Sequence, residues 1–148
     1  MIARRTVLRR MTLLAMAVFA PVPAFAAGIA ATVYKDPDCD CCQDYARYLE
    51  QNGFAVTVTA TREMSAVHEQ FGVPHGLEGC HATAVGGYVV EGHVPVAAIR
   101  KLLAERPAIR GIALPGMPEG SPGMTGRKLA PFQIYAITER GSLPFMEE

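Results

Sequence analysis

Three of the chain's four cysteines fall within four residues, Cys39-Asp40-Cys41-Cys42, and the fourth, Cys80, stands directly before His81. Thiolate is both a nucleophile and a soft metal ligand. Cys39 and Cys42 have the C-x-x-C spacing of a redox pair. Cys41 between them is a third thiol that would compete for any mixed disulfide, which argues against a dedicated thiol–disulfide enzyme. Adjacent cysteines bridge poorly, so Cys41 and Cys42 are not a natural pair. Asp36, Asp38, Asp40 and Asp44 crowd the triplet. Acids there disfavour a free thiolate and attract a cation, so the cluster reads as a metal site. The plainer alternative is one disulfide with a spare buried thiol.

Other donors lie further along. His93 follows Gly92 and precedes Val94-Pro95, and a neutral imidazole there could ligate metal or orient a ligand. A capping or solvent-facing histidine is the alternative. For His81 the alternative is a hydrogen-bonded packing histidine, because successive strand side chains point to opposite faces. Met117 and Met124 lie in the Gly/Pro-rich stretch Gly116–Met124. Thioether sulfur suits Cu(I), although adaptable packing would also explain two methionines. Zinc would be satisfied by Cys and His without Met. The combined donor set therefore points to copper. His68 and His75 carry no comparable signal.

The elements that must position these groups follow from periodicity. Ile29–Tyr34 is β-prone and Lys35–Asp40 turn-like. From Cys41 the pattern is helical, with Tyr45, Tyr48 and Leu49 at i, i+3 and i+4 and Gly53 closing it. Phe54–Thr59 alternates as a strand, with Val56 and Val58 on one face. Glu63–Phe71 reads as a second helix, ended by Gly72 and Pro74. His81–Val85 and Tyr88–Glu91 flank Gly86-Gly87, a hairpin signal. Pro95 opens a helix through Val96–Leu103, and Pro107 stops it. The order β-α-β-α-β-β-α is that of a thioredoxin-like core, an α/β fold that keeps a C-x-x-C motif at the junction of its first strand and first helix. The third strand, antiparallel to the first, would bring Cys80 against the triplet. Beyond about residue 107 the chain reads as an appended Gly/Pro/Met loop, with no regular structure expected over Gly111–Gly126, and one further strand at Phe132–Thr138.

The chain has 148 residues, half of them hydrophobic, which fits one domain. Lys and Arg balance Asp and Glu at fourteen each, but Arg4, Arg5, Arg9 and Arg10 all precede residue 27. Without them ten basic groups face fourteen acidic ones, so no basic patch for nucleic acid is expected. Residues 1–26 read as a secretory signal peptide: a basic segment, an apolar run Met11–Ala20 too short to span roughly 30 Å of bilayer as a helix, then Ala24-Phe25-Ala26 as a cleavage site. Arg4-Arg5 resembles a Tat signal, so export would be by Sec or Tat. Residues 27–148 would be the exported domain, with no membrane association after cleavage.

The motifs together resemble the periplasmic copper-resistance CopG family. The matching stretches are Tyr34–Cys42, Asn52-Gly53-Phe54, Phe71–Pro74, Cys80-His81, Gly87–Pro95, Leu114–Pro118 and Gly120–Met124. Tyr45 replaces a frequent Trp and Ala82 a common Thr, and neither change removes a donor. The resemblance implies a thioredoxin-like fold and copper binding in the bacterial periplasm. It carries the family motif onto Cys39, Cys41, Cys42 and Cys80, with His93, Met117 and Met124 in the later blocks. The expected function is Cu(I) binding for copper resistance, as a bridged multi-copper cluster on neighbouring thiolates, alongside other periplasmic copper-resistance proteins. The alternative is a thiol–disulfide or copper oxidoreductase using Cys39 and Cys42.

Overall fold

The computed structural model describes residues 28–148; the expected leader at 1–26 lies outside the described residues. The elements are β1 (Ile29–Lys35), α1 (Asp40–Gln51), β2 (Phe54–Ala60), α2 (Met64–Phe71), β3 (His81–Val85), β4 (Tyr88–Glu91), α3 (Val96–Glu105), β5 (Gly111–Ala113), β6 (Gln133–Thr138) and β7 (Gly141–Glu147). They form one seven-stranded sheet in the order β2-β1-β3-β4-β5-β6-β7. The first seven elements appear in the expected order, with both hairpin strands at the expected bounds. β1 is parallel to β2 and antiparallel to β3, with Lys35 opposite His81. That register carries Cys80 to the level at which β1 runs into the cysteine turn.

Strand alternation divides the sheet between two cores. On one face Val33, Val90, Ile112 and Ile134 pack against Tyr45 and Leu49 of α1 and Ile99 and Leu102 of α3. On the other Ala82, Val89, Ala113 and Ile137 pack against Val67 of α2 and against Val73 and Leu77. Gly86 and Gly87 both have positive φ, +58° and +88°, as a tight two-residue hairpin turn requires. β2 is an edge strand. Its expected apolar face holds at Phe54, but Val58 is exposed, because the helix cover runs out toward the strand's end.

The region beyond Pro107 differs from expectation. Gly111–Ala113 is a strand, parallel to β4 and antiparallel to β6, inside the stretch expected to be irregular. The prolines of that stretch begin only at Pro115, so nothing blocks pairing before it. Gly111 is required there, since any side chain would run into the Val89 carbonyl. β7 was not anticipated either. It pairs antiparallel with β6 across a bulge and tolerates Pro144 because it is the sheet's outer edge. The C-terminal extension therefore adds three strands rather than one. Among the described residues no helix is long and apolar enough to cross a membrane.

Candidate metal centre

The turn after β1 is closed by its own polar groups. Asp36 Oδ1 accepts from the Asp38 backbone N–H at 2.8 Å, and the Asp36 carbonyl accepts from Cys39 N–H. Cys39 is the N-cap of α1, which puts Cys41 and Cys42 in its first turn, at the positive end of the helix dipole. Cys80 arrives from the other side of the sheet order, its carbonyl accepting from the Asp36 N–H at 3.2 Å. The four sulfurs lie within 4.8 Å of one another. Cys80 Sγ is 3.2 Å from both Cys39 Sγ and Cys42 Sγ, and Cys41 Sγ is 3.4 Å from Cys39 Sγ.

Cys39 and Cys42 are joined as a disulfide, leaving Cys41 and Cys80 as free thiols. The pairing is that of the C-x-x-C reading, but the remaining thiols are not scattered, since both face the bridge. Burial pushes the Cys80 thiol up to about 11, with the Cys41 thiol beside it adding to the shift. The acids around the triplet have more local partners than the sequence suggested. Asp38 pairs with Arg62 at 3.0 Å and Asp44 with Arg47. They are thus no evidence for a cation on their own.

A second donor group shares Cys80. Ligand atoms of Cys80, His81 and His93 also lie within 4.8 Å of one another. Both imidazoles are fully buried, with ring centroids 4.8 Å apart, and the Tyr45 ring packs against both, tilted at 4.8 Å from His81 and edge-on at 5.4 Å from His93. The helix α1 tyrosines place His93: Tyr45 Oη donates to the Val94 carbonyl at 2.8 Å, and Tyr48 Oη accepts from Val96 N–H at 2.9 Å. His93 Nδ1 lies 2.7 Å from the Pro122 carbonyl. A carbonyl can only accept, so Nδ1 carries the proton and Nε2 is left with a lone pair. That Nε2 is buried and unpartnered. Neither nitrogen of His81 makes a hydrogen bond of good geometry, although the Gly92 backbone lies close enough to favour the protonated ring a little. Burial, then His93 beside it, pushes His81 down to about 3, and burial likewise lowers His93. Both rings are neutral near pH 7, the form that binds metal.

Orphaned buried polar atoms are costly, and here they converge. A cavity of about 100 Å³ is lined by Cys80, His81, His93 and Met117, among others. Met117 Sδ is 3.9 Å from Cys80 Sγ, and Met117 is itself exposed, with a positive φ of 46°. Its loop is strapped down by the His93–Pro122 bond and by Gly123, where a side chain would press within 2.7 Å of the Tyr45 backbone nitrogen. Met124 is in the same loop, its N–H donating to the Ser121 carbonyl; no hydrogen-bond contact joins its sulfur to the cysteines among the described residues. Cys39, Cys41, Cys42, Cys80, His81, His93 and Met117 are thus brought together, and Met124 follows Gly123, which packs against the Tyr45 backbone and the Cys41 carbonyl.

Two groups near the site escaped sequence reasoning. Tyr45 packs both imidazoles. Glu91, at the end of β4, is buried with His68 of α2, whose Nε2 lies 3.5 Å from Glu91 Oε1. The bond to Glu91 raises His68, while burial raises Glu91. An acid ending an apolar strand ordinarily marks the exit to solvent, so only its place directly before Gly92-His93 could have drawn notice.

Residues 77–124 match the model of a family described as protein of unknown function, DUF411. No curated protein sequence matches the chain closely enough to add to this. Two solved structures, titled copper resistance protein CopG, form 1 and form 2, are each 42% identical to it, with a TM-score of 0.75. Each alignment covers 82% of this chain and 98% of the solved one. With identity at that level over nearly the whole of the solved protein, and with the cysteine and histidine motifs inside the aligned fold, the chain belongs to the CopG copper resistance protein family.

Proposed function

We propose that this chain is a periplasmic copper-binding protein that holds Cu(I) on Cys39, Cys41, Cys42 and Cys80, as a thiolate-bridged multi-copper cluster, and contributes to copper resistance. His93 and Met117 are auxiliary donors, His81 a further imidazole donor, and Met124 a second thioether donor from the same loop as Met117. The observation that carries the reading is the meeting of four sulfurs, from two segments some forty residues apart in sequence, within 4.8 Å. Soft sulfur favours Cu(I), and neighbouring thiolates favour bridged ions over a single tetrahedral one. The names of the two solved relatives support copper as the metal. The parallel β1–β2 and antiparallel β1–β3–β4 pairing supports the thioredoxin-like description of the core. The basic and apolar sequence pattern of residues 1–26, read as a leader, supports a periplasmic site of action, with other periplasmic copper-resistance proteins as partners.

The Cys39–Cys42 disulfide favours a second reading, a thiol–disulfide or copper oxidoreductase. Closing that bridge withdraws two of the four sulfur donors, and its two-electron reduction returns them as thiols. Metal content and thiol state would then be linked. Metal analysis of anaerobically purified, reduced protein, with competition against a Cu(I) chelator, tests the first reading. Turnover of a model disulfide that depends on Cys39 and Cys42 and survives Cys41→Ser would establish the second.

A further inference from the structure

The sheet face opposite the histidines holds a buried carboxylate that the copper site does not use directly. Along β4, Val90 faces α1 and α3, while Val89 faces the small apolar core under α2. Glu91 shares the Val89 side by alternation and is 1% exposed. A carboxylate is an expensive side chain in such a place unless it holds something. Glu91 Oε1 accepts from the Gly79 backbone N–H at 2.7 Å, and His68 Nε2 lies 3.5 Å from the same oxygen. Glu91 Oε2 has no partner. Gly79 is bare where the carboxylate rests: a Cβ there would sit 3.0 Å from Oε1.

Gly79 directly precedes Cys80, and residues 78–80 belong to neither helix nor strand. Without ladder pairing, this segment needs other anchors. Two hold its backbone: the Cys80 carbonyl accepts from Asp36 N–H on the cysteine-turn side, and the Gly79 amide is held by Glu91 on the other.

We propose that Glu91 is a positioning residue, its buried carboxylate holding the Gly79 amide so that the Cys80 thiol is presented to the other three sulfurs. The proposal rests on the reading of Cys80 as a copper ligand. Glu91 acts through the backbone, from behind the sheet, and touches no copper donor of the cluster. An apolar residue at 91 would fill the same core and leave the Gly79 N–H unpaired and the segment free to shift.

The test uses the protein with its Cys39–Cys42 bridge closed, alkylated by iodoacetamide, with the rates at Cys80 and Cys41 separated by peptide mass spectrometry. Cu(I) titration of the reduced protein against a chelator runs in parallel. Glu91→Ala is expected to speed Cys80 alkylation roughly ten-fold relative to Cys41 and to weaken Cu(I) binding by a similar factor, the scale of one lost buried hydrogen bond. Glu91→Gln removes the charge but keeps an oxygen for the Gly79 amide, and should stay within about two-fold of wild type in both measurements. Should Glu91→Ala not fold, as judged by circular dichroism, Glu91→Leu carries the same comparison with less lost volume. An unchanged Cys80 rate in the folded Ala or Leu variant overturns the proposal. So does a Gln variant as reactive as Ala, which would make charge the cause, or failure of both Ala and Leu to fold, which would make Glu91 a residue of the core alone. If the wild type takes up no copper, the function proposed above fails, while the alkylation rates still decide the role of Glu91.

Discussion

The two donor groups that meet at Cys80 are built on opposite terms. Cys39, Cys41 and Cys80 are half-buried at the end of the sheet, on a turn and a helix first turn that solvent and a partner can reach. His81 and His93, with ligand atoms within 4.8 Å of the Cys80 sulfur, are wholly buried against Tyr45. The sulfurs touch one another, while three imidazole nitrogens have no partner. A sulfur cluster open to the surface suits uptake and release of a soft ion. A sealed, neutral imidazole pair costs the apo fold stability and repays that cost only when something binds it. The same site thus joins an exchangeable face to a strained interior.

The comparison breaks most decisively at the shared residue. Cys80→Ser should weaken Cu(I) binding by more than about 100-fold, beyond the roughly 10–100-fold typical of supporting residues, and leave circular dichroism unchanged. Cys41→Ser should also lose copper and alter the stoichiometry, although the C-x-x-C pair remains intact. Chelator competition on each variant provides the check.

The interior should respond in the opposite sense. His81→Leu removes two orphaned nitrogens from the core, so the apo protein should gain about 1–3 kcal/mol in denaturant unfolding. Copper affinity should fall in the same variant. A His81→Leu protein less stable than wild type would show that the ring has a partner the apo structure lacks.

Acid sharpens the same contrast. His81 is held near 3 in the folded protein, against 6.5 ordinarily. Below about pH 6.5 the unfolded chain takes up a proton that the folded one refuses until about pH 3. His81 therefore adds no protonation penalty above about pH 6.5, and below it costs the fold progressively more, on the order of 3 kcal/mol by pH 4. His93 works in the same direction. His68, raised by Glu91, works against it, stabilising at low pH and losing that effect as pH rises. Urea unfolding of the apo protein from pH 7.5 to 4 should show a net loss, reduced in His81→Leu.

The smallest expected effect is at the methionines. Met117→Leu with Met124→Leu should weaken copper binding only a few-fold, as for auxiliary donors on a loop, with the fold intact. Met117 should carry the larger part of that effect, because its sulfur lies 3.9 Å from that of Cys80. An equal loss in Met124→Leu by itself would mean that the loop rearranges on binding.

Much of this arrangement was legible in the residues, for identifiable reasons. The core elements have strong periodicity and sharp punctuation, such as Gly86-Gly87 and Pro107, so their order emerged. The antiparallel third strand then placed Cys80 by topology alone. The partners of Asp38 and Asp44 were harder to see, Arg62 because it comes from a loop that only the fold brings close. β5 was hidden because three residues beside a Gly/Pro stretch leave no period to read. β7 was obscured by Pro144 and by the exposed Leu143, features that an outer edge tolerates. The Glu91–His68 contact lies between residues 23 apart in sequence on a strand and a helix, each unremarkable alone.

The central claim is that reduced protein binds Cu(I) through four converging sulfurs. Its most direct test is anaerobic Cu(I) titration of the reduced wild type against a competing chelator, with Zn(II) present and Cys80→Ser alongside. The account predicts that the wild type retains more than one copper per chain against the chelator, excludes zinc, and loses that copper on Cys80→Ser. Equal or stronger retention of zinc, or undiminished copper loading in Cys80→Ser, would contradict it.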